Sequence, residues 1–404
     1  MSKQNILFTL SAVATGIIFV GQANAIEPQP IDLGGVGLVP TLKISETYDD
    51  NIWEAADGDE KPSSWVTVVE PSLTLAARDR LNTYQLNYRL SNSTFHSSHE
   101  DDHTDHFLRA DSHMEFSARS RLDLNAGYSK QQDTRDSTNR DFDEIGNKYH
   151  STNVGGLYGF GAETAKMQLE LGANQEWRKY DNNRDSGSFT REKDRDTLSL
   201  VTTGYYRVAP KTRLLAEIQY NDYDYDTNTL DSEGYRYLVG ATWDATAKTT
   251  GTVKVGFENK DFADSTKNDP DNSTWELGVT WSPLTYSRVM LNTSSRAEEG
   301  SSTENYVDTT SYGISWEHDW TDRITSNLGY SFTDKEYEGV SKSIDSSSND
   351  GRNDELDSYN AGLNYKMRRW LDLGVGYSYK DNSSTDSESA FDRNQVFFNV
   401  TASL

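Results

Sequence analysis

The chain contains no cysteine, so no disulfide can staple it and no thiolate can act as nucleophile or metal ligand. Stability has to come from a packed core or from a sheet closed on itself. Long apolar runs are equally scarce. Beyond the first 20 residues nothing approaches the roughly 18 consecutive apolar residues of a membrane helix, which excludes a helical membrane protein. Hydrophobic residues make up only 34% of the chain and the net charge is −25. That balance ordinarily means disorder, yet disordered chains are poor in aromatics, and this one carries 23 Tyr and 9 Trp. Something ordered is using those rings.

The N-terminus reads as an export signal. Lys3 lies in a short polar start, an apolar run follows from Ile6 to Val20, and Ala23-Asn24-Ala25 forms an A-x-A site. Residues 1–25 are therefore expected to be a cleaved signal peptide, residues 26–36 a periplasmic segment, and residues 37–404 one further domain.

That domain is written in a period of two. In the stretch around QLNYRLSN, Tyr84, Leu86, Tyr88 and Leu90 share one parity and Gln85, Asn87, Arg89 and Ser91 the other. Leu122, Leu124, Ala126 and Tyr128 oppose Asp123, Asn125, Gly127 and Ser129 in the same way. Strict alternation is the mark of a strand with two different faces. It recurs in 18 segments, starting near residues 37, 65, 81, 105, 120, 147, 165, 195, 212, 233, 249, 273, 286, 306, 322, 356, 371 and 391.

The connections alternate in length. ARDRL, ARSRL, VAPKTR, WTDR and MRRW are short and basic, whereas YDDNIWEAADGDEKPSS, QQDTRDSTNRDFDEIGNKYH and EYEGVSKSIDSSSNDGRNDELD are long and acidic. An even number of antiparallel strands with short turns at one end and long loops at the other describes a bacterial outer-membrane β-barrel. Trp243, Trp281, Trp320 and Trp370 precede short turns, and Trp53, Trp65, Trp177 and Trp275 lie beside long loops, which is the spacing of two aromatic girdles. The acids of the long loops, among them Asp49, Asp50, Glu54, Asp57, Asp59 and Glu60, are expected to face solvent and the anionic lipopolysaccharide. Leu86, Leu124 and Leu171 should face lipid, and Gln85, Asn125 and Gly172 should tolerate polar substitution.

LVPTLKISETYDDNIW, VEPSLTLAARDRLNTYQLNYRLSNSTF and FLRADSHMEFSARSRLDLNAGYSKQQDT, within residues 36–135, resemble the putative beta-barrel porin 2 family, with P-x-L, Y-D-D-N and the short basic turns as the telling elements. The resemblance implies a barrel of exopolysaccharide or capsule biosynthesis clusters, placed in the cell outer membrane. It supplies no catalytic or ligand residues.

HSSHEDDHTDH, residues 96–106, holds His96, His99, His103 and His106 among four acids. Imidazole and carboxylate are the ligands zinc prefers. A catalytic zinc also needs ligands oriented by further hydrogen bonds, and an exposed loop tip imposes no such geometry, so a solvated polar loop is the expectation. YDDN, KNDPDN and SSNDGRND offer oxygen ligands without EF-hand spacing, which suits diffuse divalent bridging to lipid rather than a built calcium site. No G-x-S-x-G or H-E-x-x-H occurs. Neither an enzyme nor a cofactor is expected.

The parity opposite the apolar one carries Glu70, Arg89, Asp123, Glu170, Glu176, Glu217, Lys254, Glu258, Lys366, Asp372 and Lys380. Charges of both signs on that face require water, since an unpaired buried ion costs several kcal/mol. A barrel of this strand number encloses an aqueous channel. These residues are the candidate lumen lining. The resemblance makes export of exopolysaccharide or capsular polysaccharide the first expectation, with polysaccharide, periplasmic export components, outer-membrane lipid and the barrel assembly machinery as partners and no nucleic acid. A general diffusion porin for small solutes is the alternative, and a structural or adhesive barrel without an open pore a third.

Overall fold

The computed structural model describes residues 30–133, 146–162, 164–184, 190–226, 230–246, 248–265, 267, 269–300, 305–338 and 351–403. The expected signal peptide and the first half of SSNDGRND lie outside them. The strands are β1 (Ile31–Asp32), β2 (Val36–Asp49), β3 (Ser64–Asp79), β4 (Asn82–Phe95), β5 (His103–Ser117) and β6 (Ser120–Gln132). They continue with β7 (Lys148–Phe160), β8 (Met167–Tyr180), β9 (Arg195–Ala209), β10 (Thr212–Tyr225), β11 (Ser232–Thr246) and β12 (Thr249–Phe262). The last are β13 (Asp271–Leu284), β14 (Ser287–Glu299), β15 (Tyr306–Thr321), β16 (Ile324–Glu338), β17 (Asn353–Arg368), β18 (Leu371–Ser384) and β19 (Phe391–Ser403).

Each strand from β2 to β19 pairs antiparallel with its neighbours in sequence, and β19 returns to pair with β2, from Gln395 opposite Asp49 to Ser403 opposite Thr41. The result is a closed barrel of 18 strands, β2 to β19. Closure leaves no sheet edge, so every strand satisfies its backbone donors and acceptors within the wall, which lipid demands. Observed strand starts fall within three residues of the expected ones. The strands run 13 to 16 residues, whereas about 9–11 tilted residues cross a bilayer. The wall therefore projects beyond the hydrocarbon.

One short strand was not legible. β1 pairs Ile31 with Leu38 and Asp32 with Gly37 of β2, in the segment expected to be periplasmic. Gly34 and Gly35 take φ of +81° and +97°, and Asp32 Oδ1 accepts from both of their N–H groups, which turns the chain back on itself.

The two parities separate as the alternation requires. Leu86, Leu124, Leu171, Val255, Leu328 and Val400 are exposed on the outer surface, and Trp281, Trp320 and Trp370 are exposed at the short-turn end. Trp65 and Trp177 are exposed at the other end. Trp53 departs from the girdle: its Nε1 donates to the buried carboxylate of Asp101 at 2.8 Å, so it pins one loop to another. Gly172 also departs from expectation, because a Cβ there would stand 2.5 Å from Val201 Cγ1 and 3.2 Å from Leu157 Cδ1. That inward position is packed, and a polar side chain would not fit it.

Candidate functional site: the charged inner wall

All eleven candidate lining residues stand on the parity opposite the exposed apolar side chains, and register brings most of them into pairs. Glu70 on β3 accepts from Lys43 Nζ at 3.0 Å and from Arg89 Nη1 at 2.8 Å. Asp123 lies 2.6 Å from His113 Nδ1. Glu170 takes Arg121 Nη2 at 2.6 Å and the Tyr205 hydroxyl at 3.2 Å, and Glu176 takes Arg178 at 3.0 Å. Lys366 and Asp372 face each other across the β17–β18 ladder.

The densest part spans β10 to β13. Lys254 Nζ bridges Glu217 at 2.9 Å and Glu276 at 3.2 Å, and Arg236 bridges Glu276 and Glu258 at 3.1 Å each. Thr203 and Gln219 donate to the remaining lone pairs of Glu217 at 2.9 and 2.7 Å. The side chains of Lys254 and Glu217 are only 5% and 6% exposed, so this sector of the wall is a filled electrostatic lattice. Buried charges tolerate such a place when they are paired, although Arg236 Nε, 3.1 Å from Glu258, makes no hydrogen bond.

The wall is more open at β4 and β5. Arg89 and Arg109, inward on β4 and β5, keep side-chain exposures of 42% and 47% although paired with Glu70 and Asp111. A solute in the lumen would meet these guanidinium groups directly.

At the long-loop end the first connection folds inward. Arg393 on β19 grips Asp49 through Nε at 3.0 Å and Nη2 at 2.5 Å, and Glu54 through Nη1 at 2.8 Å. Lys380 on β18 reaches Glu54 at 3.5 Å. Both cations lie on the inward parity, so Glu54, only 1% exposed and with φ of +50°, is drawn over the inner rim. The same loop stitches the seam where first and last strands meet. Asp50 accepts from the N–H and side-chain amide of Asn394 at 2.6 and 2.8 Å, and Asn51 donates to the carbonyl of Asp392 at 3.0 Å. Asp57 N–H donates to the carbonyl of Ala390 at 2.8 Å. Lys61 bonds Asp57 at 2.8 Å and also Asp392. Burial opposes the charge on Lys61, but these two carboxylates outweigh it and hold its pKa above the ordinary value.

The expectation that these loop acids are solvated is therefore corrected for Asp49, Asp50 and Glu54, which are structural. Glu54 could not be found from alternation, since it sits in a connection. Lys43, Arg236 and Glu276 could have been, because they obey the same parity rule as the residues that were named.

The histidine tract is not a loose tip. His99–Asp101 forms a 3₁₀ turn, and His103 and His106 already belong to β5. Three residues apart on a strand, those two point to opposite faces of the sheet. His96 contacts Thr67 at 2.8 Å, His99 Asp102 at 3.3 Å, His103 the carbonyl of Asp101 at 2.7 Å and His106 the Tyr88 hydroxyl at 2.9 Å. Among the described residues no group of three or more His, Asp or Glu is placed to hold a metal ion. What the tract does provide is Asp101, which accepts from Trp53 and, at 2.7 Å, from the Ser98 hydroxyl, and so anchors the inward loop.

No curated protein matches the chain. Among solved structures, Pseudomonas aeruginosa OpdK with vanillate is similar at 10% identity and a TM-score of 0.49, over 91% of this chain and 98% of that one. P. aeruginosa OccK5 (OpdH) is similar at 13% identity and 0.48, over 91% and 98%. Acinetobacter baumannii OccAB3 is similar at 11% and 0.48, over 91% and 99%. The family model described as Putative beta-barrel porin 2 matches residues 24–404, the whole of the closed, charge-lined barrel with its inward first loop, and the chain belongs to that family.

Proposed function

We propose that this outer-membrane, porin-like barrel is a diffusion channel for small polar and charged solutes. The observation that carries the reading is the division of the inner wall. One sector is a densely paired lattice of two cations, Lys254 and Arg236, and three carboxylates, and another presents the more exposed guanidinium groups of Arg89 and Arg109. Fixed charges of both signs along a water-filled path orient and desolvate small ions and zwitterions at little cost. The first loop, drawn over the rim by Arg393, would narrow the outer mouth in the way a sieving constriction requires. The polysaccharide itself entered through the family resemblance, and the mixed charge of the inner wall is compatible with a hydrated polymer sliding past it as well as with small solutes.

The test is twofold. The purified full-length barrel is reconstituted in planar bilayers and in liposomes, and conductance and swelling are read with amino acids and sugars of increasing size. In parallel, a deletion strain is scored for small-nutrient uptake and for surface polysaccharide. Conductance with size-limited swelling and lost uptake is the expected result. A barrel that neither conducts nor swells liposomes, in a strain that loses polysaccharide, would replace the channel by the export reading.

A further inference from the structure

Strand register on the lipid-facing surface builds a feature that alternation alone does not display. On β5 to β8, His106 lies opposite Lys130, Lys130 opposite His150, and His150 opposite Lys179. These four side chains form one row around the outside of the barrel, close to the long-loop ends of their strands. The neighbouring row toward the bilayer runs Tyr88, Leu108, Tyr128, Thr152 and Trp177 on β4 to β8. Tyr88, His106, Leu108, Tyr128 and Lys130 together line a shallow, half-open outward-facing depression of about 330 Å³. Its floor is aromatic and apolar and its upper rim cationic.

From this we infer that β4 to β8 carry a binding site for a phosphorylated glycolipid of the outer leaflet, with an acyl chain over Tyr88, Leu108 and Tyr128 and a phosphate on the Lys130 row. Charge distribution selects the occupant. The protein is acidic overall, and outward positions at the same level beyond β8 are acidic: Asp196, opposite Trp177, borders the row beside Lys179 and pairs with Asp224 across β9–β10, and Asp222 pairs with Glu233 across β10–β11. An anionic headgroup would be repelled there and drawn to β5–β8. Asp181 faces the row, 3.7 Å from Lys130 and 2.8 Å from His150 Nδ1. It does not exhaust the site: an ammonium has three N–H donors, and the Lys130 side chain is 53% exposed. His106 can accept the Tyr88 hydroxyl at Nδ1, which leaves its Nε2–H to donate to a phosphate oxygen, whereas His150 donates Nδ1–H to Asp181 and could donate through Nε2 as well only as an imidazolium. The site is independent of what crosses the lumen.

The experiment titrates the purified full-length barrel in detergent with bisphosphorylated lipid A, its dephosphorylated form and inorganic phosphate, and reads bound lipid by native mass spectrometry. At about 1 kcal/mol per basic residue near an anionic headgroup, Lys130→Gln with Lys179→Gln should weaken lipid A binding about 30-fold. The dephosphorylated lipid should bind the wild type as weakly as lipid A binds the variant, and inorganic phosphate weaker still. A heat-shifted gel band confirms that the variant is folded. If it is not, wild-type binding is read against rising salt, where loss of affinity supports the site and insensitivity overturns it. Unchanged affinity in a folded variant, or equal binding of the dephosphorylated lipid, overturns the assignment. Inorganic phosphate binding as tightly as the lipid would overturn the lipid as its occupant.

Discussion

Replacing Arg393 by Met isolates the force that holds the first loop inside the rim. The side chains it leaves behind are Asp49 and Glu54, 3% and 1% exposed, so neither can recover its hydration without moving. Removing one member of a buried ion pair typically costs about 3–5 kcal/mol, because the partner stays charged and unpaired. Here Gln395 still donates to Asp49 at 2.8 Å and Lys380 still lies 3.5 Å from Glu54, which places the expected loss near the bottom of that range, about 3 kcal/mol. The barrel should survive, since its seam keeps the ladder from Gln395 to Ser403, but the loop should lift. Two measurements follow it: unfolding of the purified barrel in denaturant by tryptophan fluorescence, and cleavage after Glu54 by a Glu-specific protease. Charge neutralisation supplies the control. Asp49→Asn and Glu54→Gln added to Arg393→Met should recover most of the stability, because the two carboxylates that Arg393 neutralised are then no longer charged. A single variant within about 1 kcal/mol of wild type, with Glu54 still protected, would refute the argument that Arg393 holds the loop.

Three further outcomes follow from the same structure. Leu→Arg at Leu86, Leu124 or Leu171 should cost about 2–4 kcal/mol at the bilayer midplane and slow assembly, whereas Gln85→Arg should not; equal tolerance at both parities would show the faces to be misassigned. Gly256→Ala should disrupt the β11–β12 ladder, since its Cβ would strike the backbone carbonyl of Tyr237, and a variant that assembles and melts like wild type would contradict this. Asp101→Ala should cost about 1–2 kcal/mol and free Trp53, seen as a fluorescence shift, while His99→Ser and treatment with a chelator should leave the unfolding curve in place.

Alternation made most of this wall readable, because a strand between lipid and water must place apolar and polar side chains at strict intervals of two. It located the 18 strands, put Leu86, Leu124 and Leu171 outside and set Glu70, Glu217 and Lys254 inside. Chain order was nearly as informative, since short turns leave each strand no neighbour but the next. Pairing between distant strands was not readable. Arg236 on β11 meets Glu276 on β13, and Lys254 on β12 meets Glu217 on β10, each across an intervening strand, only because the tilt and stagger of a closed wall bring them level. The loops escaped for a different reason. They have no period, and an acidic run such as Tyr48-Asp49-Asp50-Asn51 looks solvated until the seam places Arg393 and Asn394 beside it. The same holds for His106, Lys130, His150 and Lys179, spread over 74 residues of sequence and set in one row by the register of four strands. Local chemistry decided which face each residue takes; closure of the barrel, which turns distant positions into neighbours, decided which charges meet.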